Sequence, residues 1–557
     1  MINYKEKPFY LNDDDIKWID DTYEAMSIEE KIGQLFFPIG YSSDKDYLKY
    51  AILNKYPGGI LFRTGGMDEM AQTYKYLQEE SNIPLFTAAN LEAGGDGIVS
   101  EGTSFGKPMQ VAASNNKENA YHLGKVCARE ARAVGCNYSF APIVDIDNNY
   151  HNPITNVRTF GSDVEKIIAF ASEYIKACDE ENVLTAIKHF PGDGVDECDQ
   201  HILTSINSLD KESWDKTYGH IYKTLIDDGV KTVMVGHIGL PAYQSDKQKY
   251  LPASLSSDLL IKLLREQLNF NGLIISDATP MVGFCSAMKR SEAVPAAINA
   301  GCDMFLFNKD YDEDYNFMMN AYKEGVLSEE RLEEAVKRIL ATKASQKLHL
   351  DRMLPDKDYS SIVGCDTHLK WAKACADEAV TLVKDTQNLL PINSKKYKKV
   401  LYQILGDCDS NQRVINQFVD KMKEYGYEMI AYEKEVFDFS KPLPFDSVES
   451  FKNKYDLVIY IGNIENSSNK TTNRINWYTL FGLGNNMPWF VKEVPTLFIS
   501  LQNPYHLLDV PMIQTYINCY SNHNLMIDEV VKKINGDSEF KGVNPVDPFC
   551  GKEYLKL

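Results

Sequence analysis

The chain has 557 residues, 44% of them hydrophobic and 25% charged, and glycine with proline makes up about a tenth of it, far below the roughly 25–30% of low-complexity sequence. Its 79 acidic side chains against 59 basic ones leave a formal charge of −20, and such a surface repels phosphate backbones and anionic headgroups, which sets nucleic acid and membrane aside as partners. The opening MINYKEKPFYLNDDD has no apolar stretch before its acidic run, and no segment approaches the roughly 18 consecutive apolar residues of a membrane span, so the expected location is the cytoplasm. The eleven cysteines include no Cys-x-x-Cys pair and read as reduced thiols in apolar and helical surroundings.

In chain order, short apolar runs alternate with amphipathic stretches. The runs are QLFFPI (34–39), GILF (59–62), PLFTAA (84–89), NYSFAPIV (137–144), LTAIKHF (184–190), TVMVGHI (232–238), LIIS (273–276) and MFLF (304–307). Helix-period segments lie between them, such as 67–80, 118–134, 164–181 and 256–268. Strands alternating with helices imply parallel βαβ units, and this number of units predicts a closed (β/α)8 TIM-like barrel over residues 1–350, with a doubly wound open sheet as the alternative. The helix expected over 328–348 closes the barrel. Residues 351–364 read as a linker. Residues 365–557, with apolar runs at 399–405, 428–433, 456–462 and 496–501, predict a smaller three-layer αβα sandwich domain.

A barrel of this kind builds its site at the C-terminal ends of its strands. Polar residues stand there repeatedly: Asn90 and Glu92 after the third run, Asp145 and Asp147 after the fourth, Lys188 and His189 at the end of the fifth, His237 at the end of the sixth, and Asp277 directly after the seventh. Such a ring of hydrogen-bonding side chains suits a sugar. A nucleotide or phosphate cofactor needs a glycine-rich loop feeding a helix, and neither G-x-G-x-x-G nor a P-loop occurs. By position alone, a helix N-cap or turn aspartate is the commoner reading of Asp277 and a catalytic carboxylate the rarer one. The stretch KHFPGDGVDECDQH (188–201) breaks its strand at Pro and Gly and ends with Asp199 two residues before His201, a spacing that lets the carboxylate orient the imidazole. A metal site is the competing reading, but without His-x-x-x-His or Cys-rich spacing no metal is expected.

These residues resemble family 3 glycoside hydrolases, in particular the bacterial β-N-acetylglucosaminidase branch. KHFPGDG (188–194) followed by Asp199-Gln200-His201 is similar to that branch's K-H-F-P-G-x-G loop ending in D-x-H. GLIISDATPMVG (272–283) resembles its nucleophile segment, APIVDIDNN with NPITNVRTFGSD (141–163) the region of its substrate-binding arginine, and EAVTLVKDTQNLLPI (378–392) the opening of its C-terminal domain. The resemblance implies that Asp277 is the nucleophile, His201 the general acid/base supported by Asp199, and Asn90, Arg158, Lys188 and His189 the groups that bind the sugar. The family's D-x-E-G-G motif here reads Asn90-Leu91-Glu92-Ala93-Gly94-Gly95. An amide replaces the carboxylate and loses its charge-assisted bond. Asp193 stands where the family often has histidine.

The implied activity is retaining, exo-acting release of terminal β-linked N-acetylglucosamine from small glycosides, with no cofactor and a small carbohydrate as the partner. Two alternatives keep the same residues: a β-N-acetylglucosaminide phosphorylase, and a catalytically weak sugar-binding protein. An imidazole titrating near neutrality, at about 6.5 when unperturbed, can donate a proton to the leaving oxygen and then take one from water.

Overall fold

The computed structural model describes residues 2–433, 446–480, 483–484 and 486–557. The chain divides into two compact units, Met1–Phe105 with Lys117–Leu369, and Gly106–Asn116 with Lys370–Leu557.

The first unit is built on eight parallel strands: β1 (Phe36–Phe37, resumed after Pro38 as Ile39–Gly40), β2 (Gly59–Phe62), β3 (Phe86–Ala89), β4 (Tyr138–Ser139), β5 (Leu184–Phe190), β6 (Thr232–Val235), β7 (Leu273–Ser276) and β8 (Phe305–Leu306). The two halves of β1 have different neighbours. Phe36 and Phe37 pair with β8, whereas Ile39 and Gly40 pair with β2. Proline contributes no N–H to a ladder, and the strand changes partner at Pro38. The other strands pair in chain order, and a parallel bridge from Ile275 to Met304 joins β7 to the run entering β8. The sheet thereby closes as the expected (β/α)8 barrel, with each strand inside its apolar run except that β1 extends one residue past it, to Gly40. The expected helices follow as Met67–Glu80, Glu118–Ala133, Val164–Glu180 and Glu329–Ser345, and a π-helix spans Asp258–Gln267.

Aromatic rings fill the barrel. Phe37 on β1 meets Tyr138 on β4 at 6.3 Å between centroids, although these strands are not neighbours, and Tyr138 contacts Phe86 and the following Phe140 at 5.5 and 4.9 Å. The Tyr138 hydroxyl donates to Thr232 Oγ1 at 2.8 Å, so the one polar atom this ring carries inward is satisfied. Near the start of β7, buried Asp303 accepts from Arg265, Arg331 and the Ile274 N–H at 2.6–2.9 Å. That many donors are what makes a buried carboxylate tolerable.

The second unit holds β9 (Thr381–Asp385), β10 (Lys399–Leu405), β11 (Glu428–Ala431), β12 (Leu457–Gly462), β13 (Thr496–Ser500) and β14 (Thr515–Asn518). They form one sheet in the order β9-β14-β13-β12-β10-β11, parallel except for β9. With helices Asn411–Glu424 and Asn524–Asn535 this is the expected α/β sandwich, packed around the rings of Tyr460, Phe490, Phe498 and Tyr516.

The two units depart from the sequence-derived boundaries in two places. Residues 351–369 stay with the barrel, where the Asp356 N–H donates to Ala133 O and the Gly364 N–H to Glu130 Oε1. Residues 106–116 leave the barrel sequence and pack in the second unit: Val543 N–H donates to Ala113 O, Lys107 N–H to Ser521 Oγ, and Gln110 Oε1 meets His523 Nε2 at 2.9 Å.

Candidate active site

Asp277 is the first residue beyond β7. Its N–H donates to Val235 O at 2.8 Å, which pins its backbone to β6, and its Oδ1 accepts from the Ala278 N–H at 2.7 Å. Oδ2 lies 3.8 Å from His189 Nε2. Burial pushes the carboxyl up, but the His189, His237 and His201 rings and the Ala278 N–H outweigh it, so its pKa falls below the ordinary value. Asp277 is therefore ionised at neutral pH, as a nucleophile must be.

His201 and Asp199 form the pair that their spacing predicted. Asp199 Oδ1 accepts from the His201 N–H at 2.9 Å and lies 2.6 Å from its Nδ1. A carboxylate accepts only, so Nδ1 carries a proton and the ring's orientation is set from that side. The loop bearing this pair is bound to the turn that follows Asp277. Val282 N–H donates to His201 O at 3.1 Å, Gly283 N–H to Gln200 O at 3.2 Å, and Thr204 Oγ1 to Gly283 O at 2.9 Å. Gly283 is required at this crossing, because a Cβ there would lie 2.6 Å from Gln200 O.

Lys188 and His189 are both buried, at 3% and 6% exposure. Consecutive strand residues ordinarily face opposite ways, but the register of β5 against β6 shifts between Ile187 and Phe190, and both side chains reach polar partners. Lys188 Nζ lies 2.7 Å from Glu92 Oε1 and 3.5 Å from Asn90 Oδ1. Arg158 donates to both Glu92 oxygens, at 3.1 and 2.9 Å. Burial pushes the Glu92 carboxyl up, and the two cations overcome it and hold it far below the usual range. The site thus presents two cations around one carboxylate, with the Asn90 amide beside them, a mixed donor and acceptor set suited to sugar hydroxyls.

Three groups missing from the sequence-derived set complete the arrangement. Asp145 accepts from His189 N–H at 3.1 Å and lies 2.7 Å from its Nδ1, which turns Nε2 toward Asp277. His237 Nε2 lies 3.0 Å from Ala278 O and its Nδ1 2.8 Å from Ser254 Oγ. The carbonyl accepts from Nε2, and burial pushes the ring's pKa down against the pull of the Asp277 carboxylate. Glu92 is the third. All three were visible as polar residues behind apolar runs, and only their partners separate them from ordinary turn residues. Asp193, in the position where the family often has histidine, donates its N–H to Asp145 Oδ1 at 2.8 Å. Burial and the adjacent Asp145 push its own carboxyl far up. Among the described residues, no three His, Cys, Asp or Glu side chains are grouped as metal ligands would be.

The seven predicted residues thus lie in one unit and connect to one another: Asp277 to His189, Lys188 to Asn90 and through Glu92 to Arg158, and the Asp199–His201 pair to the turn behind Asp277. An ionised carboxylate and a carboxylate-oriented imidazole at the mouth of a parallel barrel are the parts that cleavage of a glycosidic bond needs.

Residues 27–342 match the glycosyl hydrolase family 3 N-terminal domain. The chain is 41% identical to a β-N-acetylglucosaminidase/β-glucosidase of Cellulomonas fimi over 99% of both chains. It superposes on the structure of the β-glucoside phosphorylase BglX with a TM-score of 0.93 and 40% identity, covering 99% of this chain and 100% of that one. A family 3 β-N-acetylglucosaminidase from Paenibacillus sp. str. FPU-7 shares the fold, with a TM-score of 0.78 and 21% identity over 94% of this chain and 99% of its own. The chain belongs to glycoside hydrolase family 3 and is a glycosidase.

Proposed function

We propose that the protein is a retaining, exo-acting β-glycosidase that releases terminal β-linked N-acetylglucosamine from small glycosides through a covalent intermediate on Asp277. The observation that carries this reading is the backbone link between the Asp199–His201 loop and the turn after Asp277, which holds a proton donor and a nucleophile in fixed relation within one domain. In the first step Asp277 attacks the anomeric carbon while His201 Nε2 gives its proton to the departing oxygen. In the second, His201 takes a proton from water, which displaces Asp277. Lys188, Arg158 and Asn90 hold the hydroxyls, and His189, oriented by Asp145, stands beside the nucleophile. The β-N-acetylglucosaminidase/β-glucosidase of Cellulomonas fimi supports N-acetylglucosamine and glucose as the sugars to try first.

A second reading is favoured by one comparison and one residue. The whole-chain similarity to BglX is to a β-glucoside phosphorylase, and an imidazole base does not repel phosphate as a carboxylate base would. On that reading phosphate replaces water in the second step. The test is a panel of aryl β-glycosides carrying N-acetylglucosamine, N-acetylgalactosamine, glucose and xylose, assayed with and without millimolar phosphate. Free N-acetylglucosamine as the main product at a phosphate-independent rate supports hydrolysis. Sugar 1-phosphate with a rate that rises with phosphate replaces it with phosphorolysis.

A further inference from the structure

The parallel part of the second unit's sheet runs β11-β10-β12-β13-β14, so the chain steps outward from β10 to β11 and then returns to lay β12 on the other side of β10. Open α/β sheets take their ligands just beyond the carboxyl ends of the strands, at the point where the strand order reverses. A pocket of about 640 Å³ lies at that point, lined by Gly406 and Asp407 after β10, Ile464 after β12, and Lys470, Thr472 and Arg474 from the segment beyond. Its size falls within the roughly 300–1,000 Å³ of small-molecule sites.

The lining has a definite chemistry. Lys470 Nζ donates to Glu465 O at 3.0 Å and stands 3.9 Å from Asp407. Arg474 Nε donates to Asp509 at 2.5 Å. Both cations keep solvent access, with 29% and 44% of the side chain exposed. The helix Asn411–Glu424 starts just after the β10 turn, and the positive end of its dipole adds to the potential there. Gly406 has φ +112°, and a Cβ on it would lie 2.2 Å from Asn463 O, so the two strand ends meet as closely as backbone allows. The lining thus carries two cations, Lys470 and Arg474, the Thr472 hydroxyl and one carboxylate, Asp407; each cation has a carboxylate beside it, Asp407 for Lys470 and Asp509 for Arg474, and both cations stay partly exposed.

We propose that this pocket is a second small-molecule site, and that it takes a phosphate-bearing ligand of up to hexose-phosphate size. Guanidinium and ammonium groups give charge-assisted bonds to phosphate oxygens, and Thr472 supplies a neutral donor. The proposal does not depend on which acceptor the barrel site uses.

The test is titration calorimetry on the full chain with inorganic phosphate, a hexose 6-phosphate and the neutral hexose, comparing the protein with Lys470→Ala/Thr472→Val and with Arg474→Gln. Far-ultraviolet circular dichroism verifies that the variants are folded. Binding of a phosphate compound that weakens about tenfold or more in both folded variants is expected. Tighter binding of the hexose phosphate than of phosphate assigns the site to a phosphorylated sugar, and the reverse order assigns it to free phosphate. The proposal is overturned if the variants bind phosphate compounds as well as the parent does, if no phosphate compound binds at millimolar concentration, or if the neutral hexose binds as tightly as its phosphate.

Discussion

The backbone N–H of Val282 donates to the carbonyl of His201 at 3.1 Å. This one bond couples the turn that follows the nucleophile to the loop that carries the proton donor, two segments from different βα units. A change in either segment shifts both partners of the reaction.

Asp277→Asn is expected to keep the fold and to lose turnover by several orders of magnitude, since the amide is nearly isosteric and cannot attack. Steady-state kinetics on an aryl β-N-acetylglucosaminide, together with thermal melting, tests both halves. Near-parental activity in a contamination-free preparation would remove Asp277 from the nucleophile role.

His201→Ala is expected to slow substrates with poor leaving groups far more than dinitrophenyl glycosides, which need little protonation on departure. Asp199→Ala should show the same pattern in milder form, because it removes only the group that orients the ring. Equal losses across the leaving-group series would mean that His201 is structural.

Asp145→Asn addresses the ring beside the nucleophile. The His189 imidazole relies on Asp145 for its orientation, and loss of such a supporting carboxylate costs about 10–100-fold where it has been measured at metal-bound histidines. A fall of that order in kcat, with a displaced pH profile and unchanged melting, is expected. A parental kcat and pH profile would show that His189 needs no such support.

Asp96 provides a pH test of stability. Burial pushes its carboxyl up to about 6, against a bond from Ser104 that lowers it, and nearby Glu130 adds to the rise. A group whose folded pKa is raised contributes stability that is full below its unfolded value, near 3.8, and is lost as pH rises through about 6. Asp96→Asn carries no charge to desolvate. It should therefore gain on the parent between pH 4 and 7 by about 1–2 kcal/mol, after discounting the full shift for partial exposure. Melting temperatures across that range test it, and a constant difference between the two proteins contradicts the assignment.

Much of this protein follows from local pattern. Eight apolar runs separated by amphipathic stretches are enough to specify parallel βαβ units, because each strand and helix buries its own stripe whatever its distant neighbours are. The placing of Asp277 behind β7, and the spacing of Asp199 and His201, are equally local, and the structure shows the pair joined as that spacing predicts. Tertiary structure decided what depends on residues far apart in the chain. The change of partner at Pro38 closes the barrel through pairing between residues 36–37 and 305–306. The excursion of residues 106–116 into the second unit has no local signal, since its bonds are to Cys375, Ser521, His523 and Val543. The tasks of Asp145, His237 and Glu92 came into view only with their partners, the ring of His189, the carbonyl of Ala278 and the cations of Lys188 and Arg158. A buried polar side chain has its role set by what it must bond to, and strand register brings that partner from another part of the chain.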